Sequence, residues 1–381
     1  MAQPGPLSGM TIVDLSRILA GPYCTLLMAE LGARVIKVEP QQGDDARHYG
    51  PFKNGKSTYF ASVNRGKQSI ALDLKSPDGR DVFERLLDKA DALVENFRPG
   101  TMEKLGYGWD SLHPRYPRLI YAAASGFGHS GPYSHYPAYD MVVQGLGGVM
   151  SITGHPGMPP TRIGTSIGDL GGLYTAVALN AALLHRERSG EATKVDVALF
   201  DCQLALLENA IMRYTTTGEI PGPMGARHPS ITPFEAFHTA DGHLIIAAGN
   251  DGLFVKLAHA LGRADLADSP LFKTNDLRNR HQEALRAEIE DVLKTAGTEH
   301  WIAVLEAAGI PCGAINNVAQ AIAHPQAGAR NMVISVDDPV MGPLQLAGNP
   351  MKLSGFADPQ TRAPAPDLDA DRAAILRELG L

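Results

Sequence analysis

Short apolar runs and stretches of helical period take turns along the first 214 residues. MTIVDLS (10–16) reads as a strand, AGPYCTLLMAELGA (20–33) as an amphipathic helix, and RVIKVEP (34–40) as a second strand closed by proline. The alternation continues with a strand at 69–75 and a helix opened by Ser76-Pro77-Asp78 that runs to Asp88. Proline is tolerated in that first turn because the N–H it lacks has no helical partner there. Further strands fall at 91–96, 118–126 and 193–199, with a small-residue helix at 170–186 and another from Phe200 to Tyr214. Strand–helix–strand units of this length predict parallel neighbours joined by right-handed crossovers, so the expected fold class is α/β with a doubly wound sheet.

The pattern changes at residue 215. TTTGEIPGPMGARHPSITP (215–233) has no apolar period and reads as a linker. Beyond it, 235–249 suggests a hairpin turning at Asp241-Gly242, and helical periods follow at 252–262, 281–296 and 298–308. Strands near VISVDD and LQLAG and a short helix over 368–381 close the chain. The expected organisation is a large domain over 1–214, a linker over 215–233, a smaller α+β domain over 234–330, and a return segment, 331–381, that completes the large domain.

Composition narrows the chemistry. The chain has 381 residues, 44% hydrophobic and 20% charged, which is ordinary for a globular protein. A net charge of -7 without any Lys/Arg-rich block argues against nucleic acid, so an anionic ligand must be met by local cations. Cys24, Cys202 and Cys312 lie far apart, with neither metal spacing nor a disulfide framework; no metal site is expected, and a reducing cytoplasm is. MAQPGPLSG resembles neither a signal nor a transit peptide, and no apolar run approaches the ~20 residues of a membrane span. The first strand–helix turn, Ser16 to Pro22, holds one glycine, which excludes the G-x-G-x-x-G cradle. The P-loop, H-E-x-x-H and G-x-S-x-G patterns are absent too.

What remains is cations after strands and one unusual carboxylate. Arg47, Arg65, Lys67, Lys75, Arg98 and Lys104 all sit in loops that follow strands, where an α/β fold lines its ligand crevice. GTSIGDLGGLYTA (164–176) places Asp169 among four glycines at a helix start. Asp169 there is either a helix N-cap or a nucleophile, with the glycines clearing room for a bulky substrate.

Taken in order, LSGMTIVDLSRILAGPYCTLLMAELGARVIKVEP, NRGKQSIALDLKSPDG, ENFRPGTMEKLG, GFGHSGP, IGDLGG, RHPSITPFEAF and GIPCGAINNV resemble the family III CoA-transferases over nearly the whole chain. The resemblance implies a Rossmann-like large domain, a small domain and an interlocked homodimer, with coenzyme A or acyl-CoA as substrate and no tightly bound cofactor. It maps the catalytic carboxylate onto Asp169. CoA contacts map onto Leu19, Ala20, Leu72, Asp73, Leu74, Lys75, Asn96, Phe97, Arg98, Lys104, Tyr139 and Asp140. Gly168, Gly249, Asn250 and Asp251 become oxyanion or lid candidates, and Arg47, Arg227 and His228 candidates for a distal carboxylate of a small acid. The expected reaction moves CoA from an acyl-CoA such as succinyl-CoA to a dicarboxylate. Leu19 and Pro40 depart from the formyl-CoA branch of the family, which counts against oxalate and formate. The 2-methylacyl-CoA racemases share the fold but use a His-Asp pair where this chain has Tyr139-Asp140; a CoA-binding protein without turnover is a further alternative.

Overall fold

The computed structural model describes residues 4–381. Six parallel strands form its main sheet: β1 (Thr11–Asp14), β2 (Arg34–Glu39), β3 (Gln68–Ala71), β4 (Ala92–Glu95), β5 (Ile120–Ser125) and β6 (Lys194–Ala198). Their order is β3-β2-β1-β4-β5-β6, with every neighbouring pair parallel. A sheet covered on both faces needs apolar side chains pointing both ways, which is why these strands read as continuous apolar runs. Val13, Ile36, Leu93 and Tyr121 pack on one side against Phe83, Leu86 and Leu87 of α2 (Pro77–Lys89). Ile12, Val35, Val94 and Ile120 pack on the other. There they meet α1 (Ala20–Glu30) through Cys24, Leu27 and Met28.

Further helices of the same unit include α3 (Asp140–Leu146), α4 (Gly171–Ser189) and the consecutive α5 (Leu199–Leu206) and α6 (Glu208–Thr217). Ala176, Leu179, Ala182 and Leu183, spaced three and four apart, bury one stripe of α4 against the sheet. Helical structure runs into the segment read as a linker, because the Thr215 and Thr217 hydroxyls bond back to the Ile211 and Arg213 carbonyls. The stretch Ile167–Ser189 also amends the membrane expectation: its 23 residues are long and apolar enough to span a bilayer, although Arg186 is buried within it.

The chain divides into two compact units. The first contains the chain to Met150, Arg162–Ile220 and His324–Leu381. The second contains Ser151–Thr161 and Pro221–Ala323, so a short piece of the first half groups with the later residues. In the second unit β7 (Phe234–His238), β8 (His243–Ala247) and β9 (Cys312–Ala314) make an antiparallel sheet. Its core includes Phe254 and Leu257 of α7 (Asp251–Ala260), Ile289 of α8 (Gln282–Leu293) and Leu305 of α9 (Thr298–Ala307). The final segment returns to the first unit with β10 (Val333–Asp338) and β11 (Gly342–Ala347), then α10 (Arg372–Leu379). Ile375 and Leu379 of α10 join the core beside α2.

Candidate active site

In an open parallel sheet the ligand crevice opens where successive connections leave in opposite directions, at the carboxyl ends of the strands. Here that point lies between β1 and β4. A cleft is found there, walled by Arg17–Ala20 after β1, Asn96–Pro99 after β4, Ala124–Gly126 at the end of β5, Tyr136–Tyr139 and Leu199. Asp169 lines it. Its cavity of about 160 Å³ is below the roughly 300–1,000 Å³ of sites that engulf a cofactor-sized ligand.

Asp169 sits in the 3₁₀ turn Ile167–Leu170 that feeds α4. Its side chain caps no helix N–H, and among the described residues its carboxylate accepts no hydrogen bond. Burial first, and then the negative charge of Asp140, push its pKa from 3.8 up to about 7. Asp140, at the start of α3, is held by hydrogen bonds from Gly168 N–H at 2.6 Å and from Gln144 Nε2 at 2.9 and 3.0 Å. Two carboxylates thus flank one turn: one fully bonded, the other unpartnered.

Three of the four glycines around Asp169 lie against the protein's own elements, while Gly164 faces open space. A Cβ on Gly168 would lie 2.7 Å from both Asp140 Oδ1 and Val143 Cγ2. One on Gly171 would overlap the Leu199 side chain, and one on Gly172 the carbonyl oxygen of Ala20. They clear room for the protein's own α3, α5 and α1, not for substrate. The Gly168 N–H, expected as an oxyanion donor, is already spent on Asp140.

Leu19, Ala20, Asn96, Phe97, Arg98 and Tyr139 all come together in the cleft wall with Asp169. Asn96 turns its amide to the backbone, accepting from Arg17 N–H at 2.7 Å and donating to Arg17 O at 2.8 Å. Leu72 is buried in the core, Leu74 is half-buried against it, and Asp73 and Lys75 are exposed. Arg98, Lys75 and Lys104 are exposed and have no anionic partner among the described residues.

Two substrate candidates have carboxylate partners within the protein. Arg47 forms a two-point pair with Glu39 at 2.7 Å each and bonds to Pro366 O, stacked over the Phe60 ring. Arg227, in the second unit, pairs with Glu283. His228 accepts from Ser230 N–H through Nδ1 at 3.1 Å. Of the lid candidates, Asn250 caps α7 through Leu253 N–H, Asp251 pairs with buried Arg278 at 2.8 Å, and a Cβ on Gly249 would meet only Ile231.

Sequence reasoning missed two residues here. Arg17 projects beside the cleft, 5.1 Å above the Phe97 ring and 3.4 Å from Asp45; it stood in a turn inspected only for glycines. Tyr59 is the second: burial first, then the charge on Asp169, push its hydroxyl up to about 12. It lies on the short helix Thr58–Asn64, in a stretch with no readable period.

A switch-point cleft lined by a carboxylate of raised pKa, with the exposed Arg98 in its wall, is the arrangement of an α/β ligand-binding site. The chain belongs to CoA-transferase family III, whose family model matches residues 7–372. It is 45% identical over 377 residues to an acetyl-CoA:oxalate CoA-transferase of Acetobacter aceti, covering 98% of this chain and 96% of that one. It is 37% identical to a succinate–glutarate CoA-transferase of Agrobacterium fabrum, covering 98% and 96%. A crystal structure of a CAIB/BAIF family protein from Brucella suis matches 99% of the chain and 100% of its own, at 40% identity and a TM-score of 0.86. The protein is a CoA-transferase.

Proposed function

We propose that the enzyme passes CoA between a small acyl-CoA and a small dicarboxylate through an aspartyl-CoA thioester on Asp169. The carrying observation is the unpartnered, half-buried carboxylate at the base of the switch-point cleft. The Asp169 carboxylate attacks the acyl carbonyl, the C–S bond breaks, and CoA leaves as thiolate, giving a mixed anhydride between the acyl group and Asp169. The thiolate attacks the aspartyl carbonyl and expels the first acid, leaving the thioester. The incoming carboxylate attacks that thioester and releases the thiolate, which then attacks the incoming acyl carbon and frees Asp169. Covalent relay of this kind keeps the thioester bond energy out of water.

The wall supplies the rest. α1 begins without a side-chain cap, so the first-turn N–H groups beside Ala20 are the donors we assign to the oxyanion in place of Gly168. Arg17, Arg98, Lys75 and Lys104 supply positive charge for the CoA phosphates. Tyr139 is a poor base for moving an α-proton, which weighs against a racemase. The names of relatives set the donors and acceptors to try. Oxalate, disfavoured on Leu19 and Pro40, joins glutarate and mesaconate because of the acetyl-CoA:oxalate enzyme of Acetobacter aceti and the succinyl-CoA:mesaconate enzyme of Haloarcula hispanica.

A Rossmann-like large domain and an interlocked homodimer belong to the same reading. The strand order supports the first. The second is supported by α6, which buries none of its residues although it presents Ile211, Met212 and Tyr214, and by exposed Leu173, Val177 and Leu184 on α4. Three free cysteines favour a cytoplasmic location. The test is a matrix of acetyl-, succinyl- and glutaryl-CoA against these acids, read by mass spectrometry of the acyl-CoA products in D₂O. A new acyl-CoA without deuterium supports transfer. Deuterium at the α-position of a 2-methylacyl-CoA, without exchange of acids, supports the racemase instead.

A further inference from the structure

Ile18 lies in the cleft wall with φ of +67°. A β-branched residue adopts that left-handed backbone only where its surroundings impose it, and such positions gather at functional sites. Each residue of this turn is tied down by a different group beneath it. Ser16 donates its N–H to Asp14 Oδ1 at 2.9 Å and accepts from Lys37 Nζ at 2.7 Å. Arg17 is stapled on both sides by the Asn96 amide. Ile18 donates its N–H to the Asp44 carboxylate, at 3.1 and 3.3 Å from its two oxygens.

Asp44 is itself held by several partners. Lys37 Nζ pairs with it at 2.8 Å, each side chain only 1% exposed. Its Oδ1 accepts Ala46 N–H at 2.9 Å, and its own N–H bonds to Glu39 Oε2 at 3.0 Å. Buried ion pairs stabilise little, because the lost hydration roughly cancels the attraction. What this pair does provide is a fixed anionic acceptor under one strained residue of the cleft wall.

We propose that Asp44 is a positioning residue for CoA transfer: clamped by Lys37, it locks Ile18 in the left-handed conformation and so sets where Arg17, Leu19 and Ala20 meet the acyl-CoA. This rests on the reading of the cleft as the acyl-CoA site. Asp44 touches no substrate; it acts through the turn.

The test uses the full-length enzyme and compares Asp44→Asn, Ile18→Gly and the double variant in kcat, KM for acyl-CoA and CoA affinity. Asp44→Asn is expected to lose kcat by about tenfold while KM changes by less than about threefold, because a small misplacement falls on the reacting centre. Ile18→Gly accepts the left-handed backbone without strain. Measured against Ile18→Gly, the double variant is expected to lose less than about threefold in kcat, where Asp44→Asn loses about tenfold against wild type, a coupling that two independent structural roles do not give. Wild-type kcat in a folded Asp44→Asn enzyme, or a defect that Ile18→Gly leaves unchanged, overturns the lock. If Asp44→Asn does not fold, Ile18→Pro replaces it: proline, fixed near about −65°, must lose about tenfold more kcat than Ile18→Gly loses, and equal rates in the two overturn the lock. Wild-type enzyme that neither binds CoA nor transfers it refutes the reading of the cleft itself, and is thereby distinguished from failure of the lock alone.

Discussion

Asp169→Asn is expected to abolish turnover and at the same time stabilise the fold. In the native state the carboxyl has no hydrogen-bond partner, and burial and Asp140 raise its pKa from 3.8 to about 7. A carboxyl with a higher pKa folded than unfolded keeps a proton that the unfolded chain has released. Stability is therefore unaffected by this group below the unfolded pKa and falls as pH rises through about 7. At 1.36 kcal/mol per pH unit, a span of roughly three units gives a penalty of about 4 kcal/mol at pH 8, which partial exposure lowers to about 2. Asparagine, close in shape and uncharged, escapes that penalty. Urea unfolding at pH 8 is expected to show the variant more stable by about 2 kcal/mol, and by about half as much at pH 5.5. Its transfer rate is expected to drop by at least about 10³-fold, as for other unit nucleophiles. An Asp169→Asn enzyme no more stable than wild type at either pH refutes the claim that the site holds its carboxylate at a cost. Retained turnover refutes its role as nucleophile.

Other consequences follow from the same geometry. In the proposed mechanism Asp169 attacks in its ionised form, so kcat/KM is expected to rise with pH and level off above about 7. Asp140→Asn, which removes the secondary cause of the raised pKa but keeps an acceptor for Gly168, is expected to move that midpoint down by about half to one and a half pH units; an unmoved profile in active enzyme contradicts the coupling. Arg98→Ala is expected to raise KM for acyl-CoA about tenfold, with a smaller defect at high salt, whereas Arg227→Ala leaves the KM for the acid unchanged. Gly172→Ala, whose Cβ would strike the Ala20 carbonyl, is expected to destabilise the protein by about 1–3 kcal/mol in urea, measured at the unfolding midpoint.

How much of this was legible in the sequence differs from element to element. The sheet strands announce themselves, because a strand buried on both faces must be apolar at consecutive positions, as Ile12-Val13 and Leu93-Val94 are. The short helix Thr58–Asn64 left no such trace: its buried positions Phe60, Ala61, Val63 and Asn64 make too short a period to recognise. With it went Tyr59. The glycines of 168–172 were visible, but their reason was not, since whether a missing Cβ admits a ligand or a neighbouring helix depends on what folds against it. The charges misled for a related cause. Arg47 and Arg227 look like Arg98 in the sequence, yet the first two find carboxylates 8 and 56 positions away. The turn at Ile18 was read for the glycines it lacks; its hold by Asp44, 26 positions on, is a purely tertiary fact.

The central claim is that Asp169 carries CoA. It is tested most directly by incubating the enzyme with a panel of acyl-CoAs, quenching with borohydride and reading the peptide that spans residue 169 by mass spectrometry. An aspartyl thioester is reduced to the alcohol, so the account predicts homoserine at position 169 with every acyl-CoA that supports transfer. Unmodified Asp169 in enzyme that binds CoA and is turning over would contradict it.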